Sequence, residues 1–261
     1  MSRIDRVETG WDMTATWSAA GVDVFLAGAR DAHGRLVTAA RRLSDRDVRA
    51  PSHLPGWTRA HVLTHLARNA DGQRRMLEGA ISGIVVEQYP GGAAGRAAQI
   101  ADGAARPAAP IVADLVQACA ALEEVWRRMP ANGWSRPTSA LAGRRPAWQS
   151  AWARWRESEV HLADLNVGYQ PRDWPSGFTD VAIEVLAGAL EGDRIEPRLP
   201  PGTGLHLRSP GGSRSWTVGG DDVVTIEAPV WALVAWLMGR LEPPDGPVTA
   251  DRAVPKLAPW A

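Results

Sequence analysis

The sequence predicts a two-domain chain of class α plus α/β: an antiparallel four-helix bundle over 1–170, then a smaller α+β domain over 171–261. Three observations carry this expectation. Four long runs in the first two thirds repeat apolar residues at helical spacing. A Gly-, Ala- and Pro-rich stretch, 88–110, separates the second run from the third and supplies one long connection, as some four-helix bundles have. After the segment GYQPRDWPSG, residues 168–177, the pattern changes to short strand-like runs punctuated by paired glycines.

The first helix is expected over 19–43, with Val22, Phe25, Leu26, Leu36, Val37 and Ala40 toward the core. Two prolines and a glycine in SDRDVRAPSHLPGW break the pattern. The second helix, 58–79, opens on Thr58 as N-cap and buries Val62, Leu66, Met76 and Leu77. The stretch 88–110 reads as a long connection with a short helix near 95–103. The third helix is expected over 111–129, a loop over 130–146, and the fourth helix, with Trp148, Trp152, Trp155, Leu162 and Leu165, over 147–167. The tryptophans read as core. Beyond the 168–177 linker, a helix is expected over 178–190, strands over 204–209, 213–218 and 222–227, and a last helix over 229–241 with Pro229 in its first turn.

Composition narrows the function. Lys plus Arg and Asp plus Glu are 29 each, so the basic excess of a dedicated nucleic-acid binder is missing. The single cysteine, Cys119, excludes an internal disulfide and fits a reducing cytoplasm. It sits in an apolar run, where a thiol is usually inert. The start, MSRIDRVETGWDMTATW, lacks an apolar signal-peptide core, and no uncharged stretch is long enough to span a membrane. The expectation is a soluble cytoplasmic protein that engages neither nucleic acid nor membrane.

Two helical pairs carry the chemistry. His61 and His65 are four residues apart on the second helix, and Glu157 and His161 on the fourth. Residues at that spacing lie about 40° apart around the axis, so each pair shares a face. An antiparallel bundle can bring the two faces together, as helix-built metal sites require. Two imidazoles and a carboxylate suit zinc and leave a fourth position open. Asn69 and Asp164, one turn onward, could orient an imidazole. Glu159 is the other carboxylate, turned about 200° from Glu157. Read blandly, the pairs make surface hydrogen bonds. His53 and His206 read as structural or surface residues, and glycines 211, 212, 219 and 220 as turn pairs.

The string Leu54-Pro-Gly-Trp-Thr-Arg-Ala-His-Val-Leu-Thr-His-Leu-Ala-Arg-Asn-Ala70 resembles a signature of the mycothiol-dependent maleylpyruvate isomerase family, within the DinB-like metal-binding four-helix bundles. Trp155-Arg-Glu-Ser-Glu-Val-His-Leu-Ala-Asp-Leu165 resembles its second signature. Leu237-Met-Gly-Arg240 and the Pro-rich, Trp-containing end from Pro255 to Trp260 are similar to its C-terminal motifs. The resemblance implies His65, Glu157 and His161 as metal ligands, with His61 a neighbour. It implies that Arg240, from the C-terminal domain, binds a substrate carboxylate in the active site. Without the resemblance, Arg240 reads as a solvated charge at a helix C-terminus.

The implied cofactors are zinc and mycothiol, an external thiol, and the resemblance alone implies a small-molecule partner, an anionic or electrophilic substrate. The implied reaction is isomerisation of maleylpyruvate: the thiolate adds to the cis double bond, the new single bond rotates, and elimination releases fumarylpyruvate and the thiol. Other members of this family transfer the thiol permanently, so an S-transferase is the alternative enzyme. A metal-dependent binding or regulatory protein is the alternative outside catalysis. The mycothiol-binding residues are not legible.

Overall fold

The computed structural model describes residues 18, 21–191, 199–243 and 246–257. The predicted start of the first helix at 19–20, the N-terminal stretch read for a leader, and Trp260 of the closing motif lie outside the described residues. The chain divides into two compact units, one within Trp11–Tyr169 and one within Gln170–Ala261.

The first unit is a four-helix bundle of α1 (Val22–Ala40), α3 (Arg59–Ser82), α5 (Ala108–Arg128) and α6 (Trp148–Asp164). A short α2 (Asp45–Arg49), a crossing α4 (Gly92–Ala104) and a hairpin of β1 (Pro137–Ala140) and β2 (Gly143–Pro146) complete it. Side-chain contacts give the helix directions. Arg59 reaches the carbonyls of Leu165 and Asn166, while Arg154 reaches that of Leu66, so α3 and α6 are antiparallel. His33 pairs with Glu123 and Asp45 with Ala108, so α1 and α5 are antiparallel too. Arg68 bonds Asp114 near the start of α5 and Arg128 meets Glu78 at the other end, so α3 and α5 are parallel. Phe25 stacks on Trp148 and Arg35 pairs with Glu159, so α1 and α6 are parallel. The order is up, down, down, up. The connection 83–107 carries the chain back along the bundle, and most of it is the helix α4.

Three arginines finish helices whose last carbonyls have no partner within the helix. Arg59 takes those of α6, Arg136 those of Ala80 and Ile81 in α3, and Arg49 those of Ala104, Ala105 and Arg106 at the end of α4. A cation there also suits the helix dipole. Two close approaches between helices depend on glycine. A Cβ on Gly28 of α1 would lie 2.2 Å from Cε2 of Trp155, and one on Gly103 of α4 would lie 2.4 Å from Cγ2 of Thr64 in α3.

One buried guanidinium ties the four helices together. Arg154 of α6 is fully buried. It donates to His33 Nε2 of α1 (2.8 Å), to the Leu66 carbonyl (2.9 Å) and Asn69 Oδ1 (3.0 Å) of α3, and to Cys119 Sγ of α5 (3.3 Å). Burial raises the Cys119 thiol, but the Arg154 charge and the His33 bond outweigh it and hold the thiol below its ordinary value.

The second unit is α+β. A four-stranded sheet has the order β4 (Ser215–Gly219), β3 (Thr203–Arg208), β5 (Asp222–Glu227), β6 (Thr249–Ala250). β3 pairs antiparallel with β4 and parallel with β5. The chain must therefore pass from one side of β3 to the other between β4 and β5. It does so on glycine: a Cβ on Gly204 would lie 2.2 Å from the Gly220 carbonyl oxygen, and one on Gly220 would lie 2.3 Å from that of Gly202. Leu205, Leu207, Trp216, Val218, Val224 and Ile226 are the buried residues of the sheet, and α7 (Ser176–Glu191) and α8 (Val230–Leu237) pack in the same unit. No helix among the described residues is long and apolar enough to cross a membrane.

Several boundaries differ from expectation. α5 starts at Ala108, because Pro110 sits in the first turn, where a missing N–H costs nothing. The expected loop 130–146 contains the β1–β2 hairpin, and the expected break after α1 contains α2, opened by a Ser44–Asp47 capping box. The helix expected to reach 241 ends at Leu237. Gly239, at φ 68°, lets the Arg240 amide bond the Ala235 carbonyl and its own amide bond that of Trp236, a Schellman stop.

Candidate metal centre

The antiparallel pairing of α3 and α6 sets His65 opposite Glu157 and His161. Their ligand atoms all lie within 4.8 Å of one another. Glu157 Oε2 is 3.0 Å from His65 Nε2 and 3.6 Å from His161 Nε2, and the two imidazoles meet edge to face at 4.7 Å. His65 is buried and the other two are partly so.

His61 stands apart. Its Nδ1 accepts the Thr58 amide at 3.3 Å and lies 2.8 Å from the Thr58 hydroxyl, so it serves the start of α3. Glu159 is buried on another face, bonded by Arg35 and by the Tyr169 hydroxyl (2.8 Å). Asp164 Oδ2 lies 2.8 Å from His161 Nδ1 and fixes that ring. Asn69 holds the carboxylate instead of an imidazole: its Nδ2 donates to Glu157 Oε2 at 3.4 Å, while its Oδ1 accepts from Arg154 and Gln73. His53 is exposed, and His206 lies half-buried in β3. Arg240 belongs to the second unit, where its Nη1 donates to the Met238 carbonyl at 2.9 Å.

The electrostatics are those of a coupled triad. Burial pushes His65 down to about 4, helped by the charges of His161 and Arg96 and opposed by the Glu157 hydrogen bond. Burial also disfavours ionised Glu157, but hydrogen bonds from His161 and His65 outweigh it and hold the carboxyl well below its usual range. For His161 burial is again opposed, and bonds to Asp164 and Glu157 leave it raised.

Sequence reasoning missed several neighbours. Arg96 of α4 donates to His65 Nδ1 at 3.0 Å. Since arginine only donates, the neutral His65 ring carries its proton on Nε2 and gives it to Glu157. Arg156 lies 3.7 Å from Glu157 Oε1, and Tyr89, Arg145 and Arg154 complete the surroundings. Arg156 is the chain neighbour of Glu157, whereas Arg96, Arg145 and Tyr89 come from α4, the hairpin and the connection before α4, so no local spacing announces them.

The donor set fits a divalent cation. Two imidazole nitrogens and one carboxylate oxygen converge, and Asp164 accepts from the far nitrogen of His161, as behind a metal-binding imidazole. At His65 a cation on Nε2 would move the ring proton to Nδ1, where Arg96 could no longer donate.

Known proteins share this fold. The chain resembles two solved structures, a mycothiol-dependent maleylpyruvate isomerase and a histidine-to-alanine mutant of it. Each is 24% identical over 92% of this chain and 97% of that chain, with a TM-score of 0.79. At that identity the likeness establishes the fold. No curated protein matches. The model for the mycothiol maleylpyruvate isomerase N-terminal domain matches residues 29–166, more than half of the chain, from within α1 to the end of α6. With the bundle, the triad and this match in hand, the chain belongs to the mycothiol maleylpyruvate isomerase family.

Proposed function

We propose that this protein is a mycothiol-dependent isomerase that converts maleylpyruvate to fumarylpyruvate, with zinc held by His65, Glu157 and His161. The observation that carries the reading is the convergence of two imidazoles and one carboxylate from antiparallel helices, within a chain of this family. A divalent cation bound there favours the thiolate form of an incoming thiol.

The chain's own residues set the stage. Asp164 orients His161, and Asn69 holds Glu157 in place. Cys119 is buried under Arg154, so the nucleophile comes from outside the chain. Sulfur adds to the cis double bond, the resulting single bond rotates, and elimination restores the double bond as trans and returns the thiol. Arg240 binds one substrate carboxylate through its two-point donor geometry. A small-molecule thiol as cosubstrate and a single cysteine suit the cytoplasm.

The test is an assay of purified protein with zinc, mycothiol and maleylpyruvate. Thiol-dependent formation of fumarylpyruvate is expected. No product from protein with full metal content overturns the isomerase reading, and sulfur retained in the product makes the enzyme an S-transferase. Arg240→Ala is expected to keep its metal and raise KM for the anionic substrate. Unchanged kinetics would remove Arg240 from the site.

A further inference from the structure

Three guanidinium groups from three elements of the bundle unit surround the candidate centre: Arg96 of α4, Arg145 of β2 and Arg156 of α6. Arg156 lies 3.7 Å from Glu157 Oε1. Arg96 bonds His65 Nδ1, and its guanidinium carbon stands 5.9 Å from the centre of the Tyr89 ring. Arg145 is half-buried, and its Nε is buried with no hydrogen-bond partner. It feels the repulsion of Arg156 and the attraction of Glu157 and Tyr89.

The local charges do not balance. Among the described residues, neither Arg96 nor Arg145 forms an ion pair with a carboxylate. Glu157 already serves His65, His161 and Asn69, and Asp164 serves His161. A guanidinium held largely out of water without a counter-charge is unfavourable, and the usual answer is a bound anion. A divalent cation on the triad would add to the positive excess. Tyr89 adds a hydroxyl that burial keeps in its neutral, donating form.

We propose that Arg96 and Arg145, with Arg156 at the rim, form a carboxylate-binding seat built wholly within the bundle unit. A carboxylate matches the planar fork of a guanidinium in two parallel hydrogen bonds. The inference deepens the isomerase reading and rests on it for the identity of the anion, a carboxylate of the substrate. The bundle then grips the substrate beside the reacting carbon, independently of Arg240.

Calorimetric titration of the full-length protein with maleate, at matched metal content, tests this. Saturable binding is expected, weakened about tenfold or more in Arg145→Gln and in Arg96→Gln, as for loss of a charged hydrogen bond. Arg127→Gln, an exposed arginine paired with Glu124, is expected to bind as the unaltered chain does. Circular dichroism checks each fold, and Arg145→Lys, which keeps the charge and loses the fork, is expected to fall between. No saturable binding, or equal affinity in all variants, overturns the seat. The isomerase reading is judged separately by turnover: active protein whose maleate affinity ignores both substitutions sinks the seat alone. Inactive protein whose maleate affinity depends on both sinks the isomerase reading and upholds the seat.

Discussion

His161 Nδ1 and Asp164 Oδ2 lie 2.8 Å apart on one face of α6, and this contact leaves the opposite ring nitrogen, Nε2, directed at Glu157. A carboxylate behind a metal-binding imidazole fixes the ring and raises its basicity. Asp164→Asn is therefore expected to weaken metal affinity by about 10–100-fold while leaving all three ligands in place. Competition against a chromophoric chelator measures it, and an unchanged constant would show that the contact does not tune the site.

Removal of a ligand has a larger effect. His65→Ala and Glu157→Ala are each expected to lose most bound metal, read by elemental analysis of the purified protein. His61→Ala is expected to keep the metal and lose about 1 kcal/mol of stability, because its ring serves the Thr58 end of α3. Full occupancy in both ligand variants would refute the assignment.

Metal binding should release a proton. Without metal, burial would lower His161, but Asp164 and Glu157 hold it above the ordinary histidine value. A ligand imidazole must be neutral, so affinity falls as pH drops through that raised value. By the same linkage, the metal-free fold gains from His161 below the unfolded histidine value and loses this gain as pH rises through the raised one. Calorimetry near pH 6.5 in two buffers of different ionisation enthalpy gives the proton count, and identical heats would contradict it.

Two glycines of α1 should respond oppositely to alanine. At Gly28 the new methyl would strike the Trp155 indole, and overpacking of this kind costs about 1–3 kcal/mol. At Gly34 nothing lies within 4 Å, so alanine should stabilise by about 0.8–1 kcal/mol through helix propensity. Urea denaturation of the two variants makes the comparison. A stabilised Gly28→Ala would mean that the indole has room to move.

What was legible in the sequence was what repeats locally. The four bundle helices show their apolar period, and Glu157 with His161 shows a shared face without any knowledge of the partner helix. Choosing His65 over His61 needed the signature string. The structure supplies a physical reason, since Thr58 occupies His61. The β1–β2 hairpin was hidden because PTSA and GRRP lack the apolar alternation that marks a strand. The crossing helix α4 was partly hidden by its glycines, one of which lets it approach Thr64. Arg96, Arg145 and Arg154 gave no signal at all, because their partners are 31 or more residues away or come only from packing.

Arg154 has one more consequence. Its donors are satisfied by all three other helices at once, so sliding any helix by one turn, about 5.4 Å, would strand a cation in the core. The guanidinium thus works as an alignment pin. It stands one turn from Glu157 on α6 and bonds Asn69, one turn from His65 on α3. Misaligned bundles are penalised at the level where ligand placement is decided, so a core residue that need never touch substrate sets the tolerance of the metal centre.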